Sequence, residues 1–103
     1  MTKYGNRRVN TPDGWFDSHR ELARWQELKL LERAGKISSL QRQVRFEIVK
    51  RVGKARPTFY IADFVYQENG REVVEDSKGY RDRLYLLKRK LMLERHGIEV
   101  LES

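Results

Sequence analysis

The stretch Thr58 to Gly79, TFYIADFVYQENGREVVEDSKG, limits what this chain can fold into more than any other. Its first half is dense in β-branched and aromatic residues, and its second half resumes that character at Val73 and Val74, with Asn69-Gly70 between them. Asn-Gly is the preferred pair for a two-residue type I′ turn, in which both central residues need positive φ and the turn's twist matches that of the strands. The turn predicts a β-hairpin and fixes its register. With Glu68 and Arg71 flanking the loop, Asp63 falls directly opposite Asp76. Directly opposed side chains have Cβ atoms roughly 4.5 to 5.5 Å apart, and like charges there repel. Something must offset that repulsion. A divalent cation is the simplest candidate, and Lys78, two residues after Asp76 on the same strand face, adds a positive charge nearby.

Around this hairpin the chain predicts one α/β domain of α+β type. Its 103 residues suit a single two-layer core. Residues 1–13 carry Lys3, Arg7 and Arg8 without periodicity and read as a flexible basic arm, leaving 14–103 as the domain. Ser18-x-x-Glu21 matches a capping box, and a helix of about five turns is expected from there to a stop at Gly35. Ile37 to Lys50 alternates as a half-buried strand, and Lys50, Arg51, Lys54 and Arg56 surround a basic loop before the hairpin. From Tyr80 the period is helical. Leu84, Leu87 and Leu91 form the expected packing stripe, with Arg81, Tyr85 and Lys88 on a polar stripe, until Gly97 closes the helix. Ile98 to Leu101 is a last short strand. It arrives after a crossover and so pairs in parallel with the hairpin strand before the helix, which predicts a mixed four-stranded sheet flanked by helices.

Composition narrows the function. The absence of cysteine excludes disulfides and thiol chemistry. No apolar run approaches the ~18 residues needed to span a bilayer, so a soluble, cytoplasmic protein is expected. The formal charge of +7, from 22 Lys and Arg against 15 Asp and Glu, makes a polyanion a reasonable partner, with Arg45, Lys50, Arg51, Lys54, Arg56, Arg81, Tyr85 and Lys88 as candidate nucleic-acid contacts. His19 and His96 stand alone and read as surface residues, Trp15 and Trp25 as packing residues. Asp63, Asp76 and the carbonyl of Ser77 offer hard oxygen ligands suited to Mg²⁺, for which Mn²⁺ can substitute. Lys78 is placed to stabilise charge on a phosphodiester under attack. Glu21 becomes a third acid if the first helix packs on this face; the capping box alone also accounts for it.

Ala62-Asp63-Phe64, the Asn-Gly turn and Glu75-Asp76-Ser77-Lys78-Gly79, in helix–three strands–helix–strand order, resemble the PD-(D/E)XK nuclease superfamily. Gly14-Trp15-Phe16-Asp17-Ser18 followed by Glu21, together with Gln43, is similar to a group of short phage and prophage proteins within it. The resemblance covers the chain from about Gly14 onward. It implies a restriction-endonuclease-like core in which Asp63 and Asp76 bind metal, Lys78 is catalytic, Glu21 is the helix-borne acid and Gln43 lies near the site. Ala62 stands where the motif has proline. Glu75 beside Asp76 leaves two readings of the second acid: alternation favours Asp76, which shares a face with Lys78, and a bulge would reverse that. The activity implied is a Mg²⁺-dependent DNA endonuclease of phage type acting in a bacterial cytoplasm on branched or structured DNA, as junction resolvases do, with a homodimer expected for a symmetric junction. A non-catalytic DNA-binding protein on the same fold and an RNA nuclease are the alternatives.

Overall fold

The computed structural model describes residues 7–77 and 81–103. Two short strands open it, β1 (Val9–Thr11) and β2 (Gly14–Phe16). Helix α1 (His19–Arg33) follows, then the long strands β3 (Ser38–Val49) and β4 (Thr58–Glu68), β5 (Arg71–Asp76), helix α2 (Arg83–His96) and β6 (Leu101–Glu102). The main sheet runs β3-β4-β5-β6, antiparallel except for the parallel β5–β6 pair, which is the mixed four-stranded α+β arrangement expected. No helix among the described residues is long and apolar enough to cross a membrane.

The Asn-Gly turn does what its chemistry demands. Asn69 and Gly70 have φ of +52° and +76°, and β4 pairs with β5 from Glu68–Arg71 to Phe64–Glu75 in the predicted register. Ser18 caps α1, its hydroxyl accepting the Glu21 N–H, and Asp82 caps α2 by accepting the Tyr85 N–H. Gly97, at φ +65°, ends α2 in the left-handed conformation that glycine adopts without strain.

Each helix covers a different part of the sheet. Leu28 of α1 joins Ile37, Phe64 and Tyr66, while Tyr85 and Met92 of α2 join Ile48, Tyr60, Ala62, Val65, Val74 and Val100. Phe64 and Ala62 therefore serve opposite cores although they are two residues apart on one strand, where ordinary alternation would give them one face. The neighbouring strand does the same: Leu40 packs with the α1 core, Val44 and Phe46 with the α2 core. The faces exchange at Gln43 and Asp63. Gln43 has φ +56°, left-handed backbone that a non-glycine residue holds at a cost of about 1–3 kcal/mol.

Two expectations need correction. Val9–Thr11, placed in the basic arm, pairs with Gly14–Phe16 across a Pro12-Asp13 turn. Buried Phe16 anchors this hairpin, with the Arg42 guanidinium 3.8 Å from its ring centre and donating to the Trp15 carbonyl at 2.7 Å. The packing stripe of α2 also differs: Leu84 and Leu87 are 60% and 52% exposed, and Tyr85 and Met92 are buried instead. Tyr85 is preferred there because its ring fills the core while its hydroxyl donates to Glu102 at 2.9 Å.

Candidate active site

The β4–β5 ladder stops at Phe64–Glu75, and the next residues on each strand are Asp63 and Asp76. There side chains replace the ladder. The Asp63 N–H donates to Asp76 Oδ1 at 2.9 Å, and the Ser77 N–H donates to Asp63 Oδ2 at 2.9 Å. The two carboxylates expected to repel are thus each held by a backbone donor, so the pairing does not by itself require a cation. Asp76 is 1% exposed and Asp63 half-buried. The Ser77 hydroxyl is buried and makes no hydrogen bond among the described residues.

Glu21 reaches this corner from the first turn of α1. It is 2% exposed, and its Oε1 accepts the Asp17 N–H at 3.0 Å, a variant of the expected capping box displaced by one residue. Its Oε2 lies 3.4 Å from Gln43 Nε2, and the same nitrogen lies 3.5 Å from Asp63 Oδ1. Two carboxylates therefore converge on one amide nitrogen, carried by the residue with left-handed backbone. Burial, the Asp63 charge and a hydrogen bond shared with Asp63 push the Glu21 carboxyl up to about 7, against the pull of the Asp17 amide. No three His, Cys, Asp or Glu side chains among the described residues are grouped closely enough to hold one ion.

Glu75, the other of the two adjacent acids, faces away from this corner. It points to the α1 face, 2% exposed, with Arg24 Nε 2.7 Å from Oε2, Arg24 Nη2 3.0 Å from Oε1, and the Tyr66 hydroxyl donating to Oε1 at 2.7 Å. Burial alone would raise its pKa, but hydrogen bonds from Arg24, Ser103 and Tyr66 outweigh it and hold the carboxyl below its usual value. No bulge reverses the alternation between Glu75 and Asp76. Sequence reasoning misses Arg24 and Tyr66; the available signal is that a strand carboxylate on a covered face needs a cation from the helix above it.

The chain belongs to the DUF1064 family. The matching family is described as "Protein of unknown function (DUF1064)" and the match spans residues 1–100. The chain matches no curated protein and no solved structure.

The remaining candidates divide. Gln43, Asp63, Asp76, Ser77 and Glu21 come together; Lys78 lies outside the described residues. Arg45 is exposed with its guanidinium 4.1 Å from the Phe59 ring centre, and Lys50, Arg51, Lys54 and Arg56 are exposed at the far end of the β3–β4 hairpin. Arg81 is engaged with Glu102 at 3.1 Å, and half-buried Lys88 lines a pocket with Tyr60, Ile61 and Leu84. Buried Tyr85 does not present the surface expected of a phosphate contact.

Proposed function

We propose that this protein is a divalent-metal-dependent DNA endonuclease on a PD-(D/E)XK-like core. The observation that carries the reading is the convergence of Glu21 Oε2 and Asp63 Oδ1 on one Gln43 amide nitrogen, beside the cross-braced Asp63–Asp76 pair. Carboxylates so placed favour a cation, and an all-oxygen donor set fits Mg²⁺ or Mn²⁺. Asp63 and Asp76, with the Ser77 carbonyl and water, would hold it, and Glu21, too far to join them as a third direct carboxylate, would reach it through water. A bound divalent ion supplies Lewis-acid polarisation of a phosphodiester and a lower pKa for water. The chain's own groups do the rest. The Asp63–Ser77 and Asp76–Asp63 hydrogen bonds fix both carboxylates to the backbone, and Glu21, whose carboxyl is pushed up to about 7 in the metal-free chain, would give up its proton as a cation arrives. Lys78 is assigned, from its place in the sequence, to charge stabilisation on the phosphoryl oxygens.

The partner is DNA, and structured DNA before sequence-specific sites. Five residue steps of extended strand lead from Asp63 to the start of β4 at Thr58, roughly 17 Å at strand rise, or about five base-pair steps along a duplex axis. Arg45 and the Lys50–Arg56 tip thus support contact with phosphates away from the cut, which position DNA without reading bases. The test is a panel of single-stranded, duplex, flap, fork and four-way DNA, with RNA counterparts, in Mg²⁺, Mn²⁺ or chelator. Metal-dependent cleavage of branched DNA is expected. Binding without cleavage in either metal would identify a DNA-binding protein on this fold, and cleavage confined to RNA would redirect the assignment.

A further inference from the structure

Three residues after Glu21 on α1 stands Arg24, and one residue before Asp76 on β5 stands Glu75. Positions three apart on a helix share a side, so the turn that carries Glu21 also carries the guanidinium. Glu75 pairs across the sheet with Phe64, the residue after Asp63. The bidentate Arg24–Glu75 contact therefore joins the turn bearing Glu21 to the rung next to the one bearing Asp63 and Asp76. The Tyr66 hydroxyl takes a further position on Oε1 and leaves Glu75 little freedom to rotate. A second tie lies on the other side of Glu21. Arg20 Nη2 donates to the Ser103 carbonyl at 2.7 Å, and the Ser103 N–H donates to the Asp76 carbonyl at 2.9 Å.

From this geometry we infer that the Arg24–Glu75–Tyr66 cluster is a positioning device that holds Glu21 beside Asp63, across the Gln43 amide that both approach; the inference rests on the nuclease reading above. The physical reason lies in what a charged cluster does that an apolar one does not. Replacing a buried ion pair with apolar residues of similar volume is often neutral or stabilising, so stability alone does not call for charges here. Two parallel N–H···O bonds add direction, fixing how the helix sits along the strand where an apolar contact would let it slide. Supporting contacts of this kind typically change metal affinity or activity by about 10- to 100-fold.

The test is the triple variant Arg24→Met/Tyr66→Phe/Glu75→Leu beside the milder Glu75→Gln, which decides the matter if the triple variant does not fold. Mn²⁺ affinity by calorimetry, single-turnover cleavage of branched DNA, DNA affinity in chelator and thermal melting are measured on each. The expected result is a triple variant that melts near wild type and binds DNA normally, yet loses about tenfold or more in Mn²⁺ affinity and rate, with Glu75→Gln losing less in the same direction. Wild-type Mn²⁺ affinity and rate in both folded variants would overturn the inference and leave the nuclease reading standing. Wild-type protein that binds Mn²⁺ and cuts nothing would sink the nuclease reading, while a weaker Mn²⁺ affinity in the variants would still support the positioning role. No Mn²⁺ binding by wild type would overturn both.

Discussion

Glu21 and Glu75 are equally buried, at 2% exposure each, and both lie where α1 meets the sheet, yet their surroundings drive them apart. Glu75 is given a guanidinium and a phenol and stays charged. Glu21 is given a backbone amide, a distant glutamine amide and a second carboxylate, and is pushed towards neutrality. A fold that needed only rigidity would treat both alike. Completing one carboxylate with protein groups and leaving the other under strain from a like charge is the contrast expected between a structural acid and a working one, and it supports the proposed site at Glu21.

The largest expected effect breaks the satisfied member. Arg24→Ala leaves Glu75 buried without its cation, which should cost about 3–5 kcal/mol of stability, read as a drop in urea midpoint. Glu21→Gln, at the strained member, should cost no comparable stability at neutral pH. A Glu21→Gln loss as large as that of Arg24→Ala would erase the distinction.

Next comes Lys78→Ala. It removes no metal ligand, so Mn²⁺ affinity should be kept or tightened while single-turnover cleavage falls on the order of 10²-fold or more. Near-normal cleavage would remove Lys78 from the mechanism.

The pH dependence of stability should have opposite signs at the two acids. The folded Glu21 carboxyl titrates near 7 against an ordinary 4.5, so the folded state holds the extra proton between those values. Its contribution is fully present below about 4.5 and lost as pH rises through about 7. Glu75, held below its ordinary 4.5, contributes above that value and loses its contribution as pH falls. Glu21→Gln should therefore flatten the decline towards neutral pH, and Glu75→Gln the decline towards acid. Unfolding midpoints across pH 3 to 8 measure both, and the same sign in both variants would contradict the account.

Smallest is the surface electrostatics. Arg45→Ala or Lys54→Ala should make the slope of log affinity against log salt shallower by about 0.9 for each phosphate that the variant no longer neutralises. An unchanged slope would move the DNA path off this arm.

Local chemistry makes much of this legible. Asn69-Gly70 sets a register that needs no tertiary information, and it carries Asp63 and Asp76 to adjoining places. Ser18 and Gly97 likewise mark helix ends by their own side-chain or backbone preferences. The Pro12-Asp13-Gly14 turn is equally legible and is obscured by the basic residues around it. What stays hidden depends on packing. A leucine-rich α2 suggests a leucine seam, whereas the neighbouring Glu102 and the apolar bed on the sheet select Tyr85. The exchange of faces at Gln43 and Asp63 has no sequence signature, since glutamine is not a residue that favours positive φ. Arg24's role depends on a residue 51 positions away, a relation that only the folded chain creates.

The most direct test of the metal site uses Asp76→Asn, whose side-chain oxygen can still accept the Asp63 N–H while the negative charge is gone. Single-turnover cleavage of a labelled four-way junction, started with Mg²⁺, is compared between wild type and the variant, with junction affinity measured in chelator. The account predicts metal-dependent cutting by wild type, a loss of at least about 10²-fold in the variant, and unchanged junction affinity. Cutting by Asp76→Asn at the wild-type rate, or cutting by wild type that persists in chelator, would contradict it.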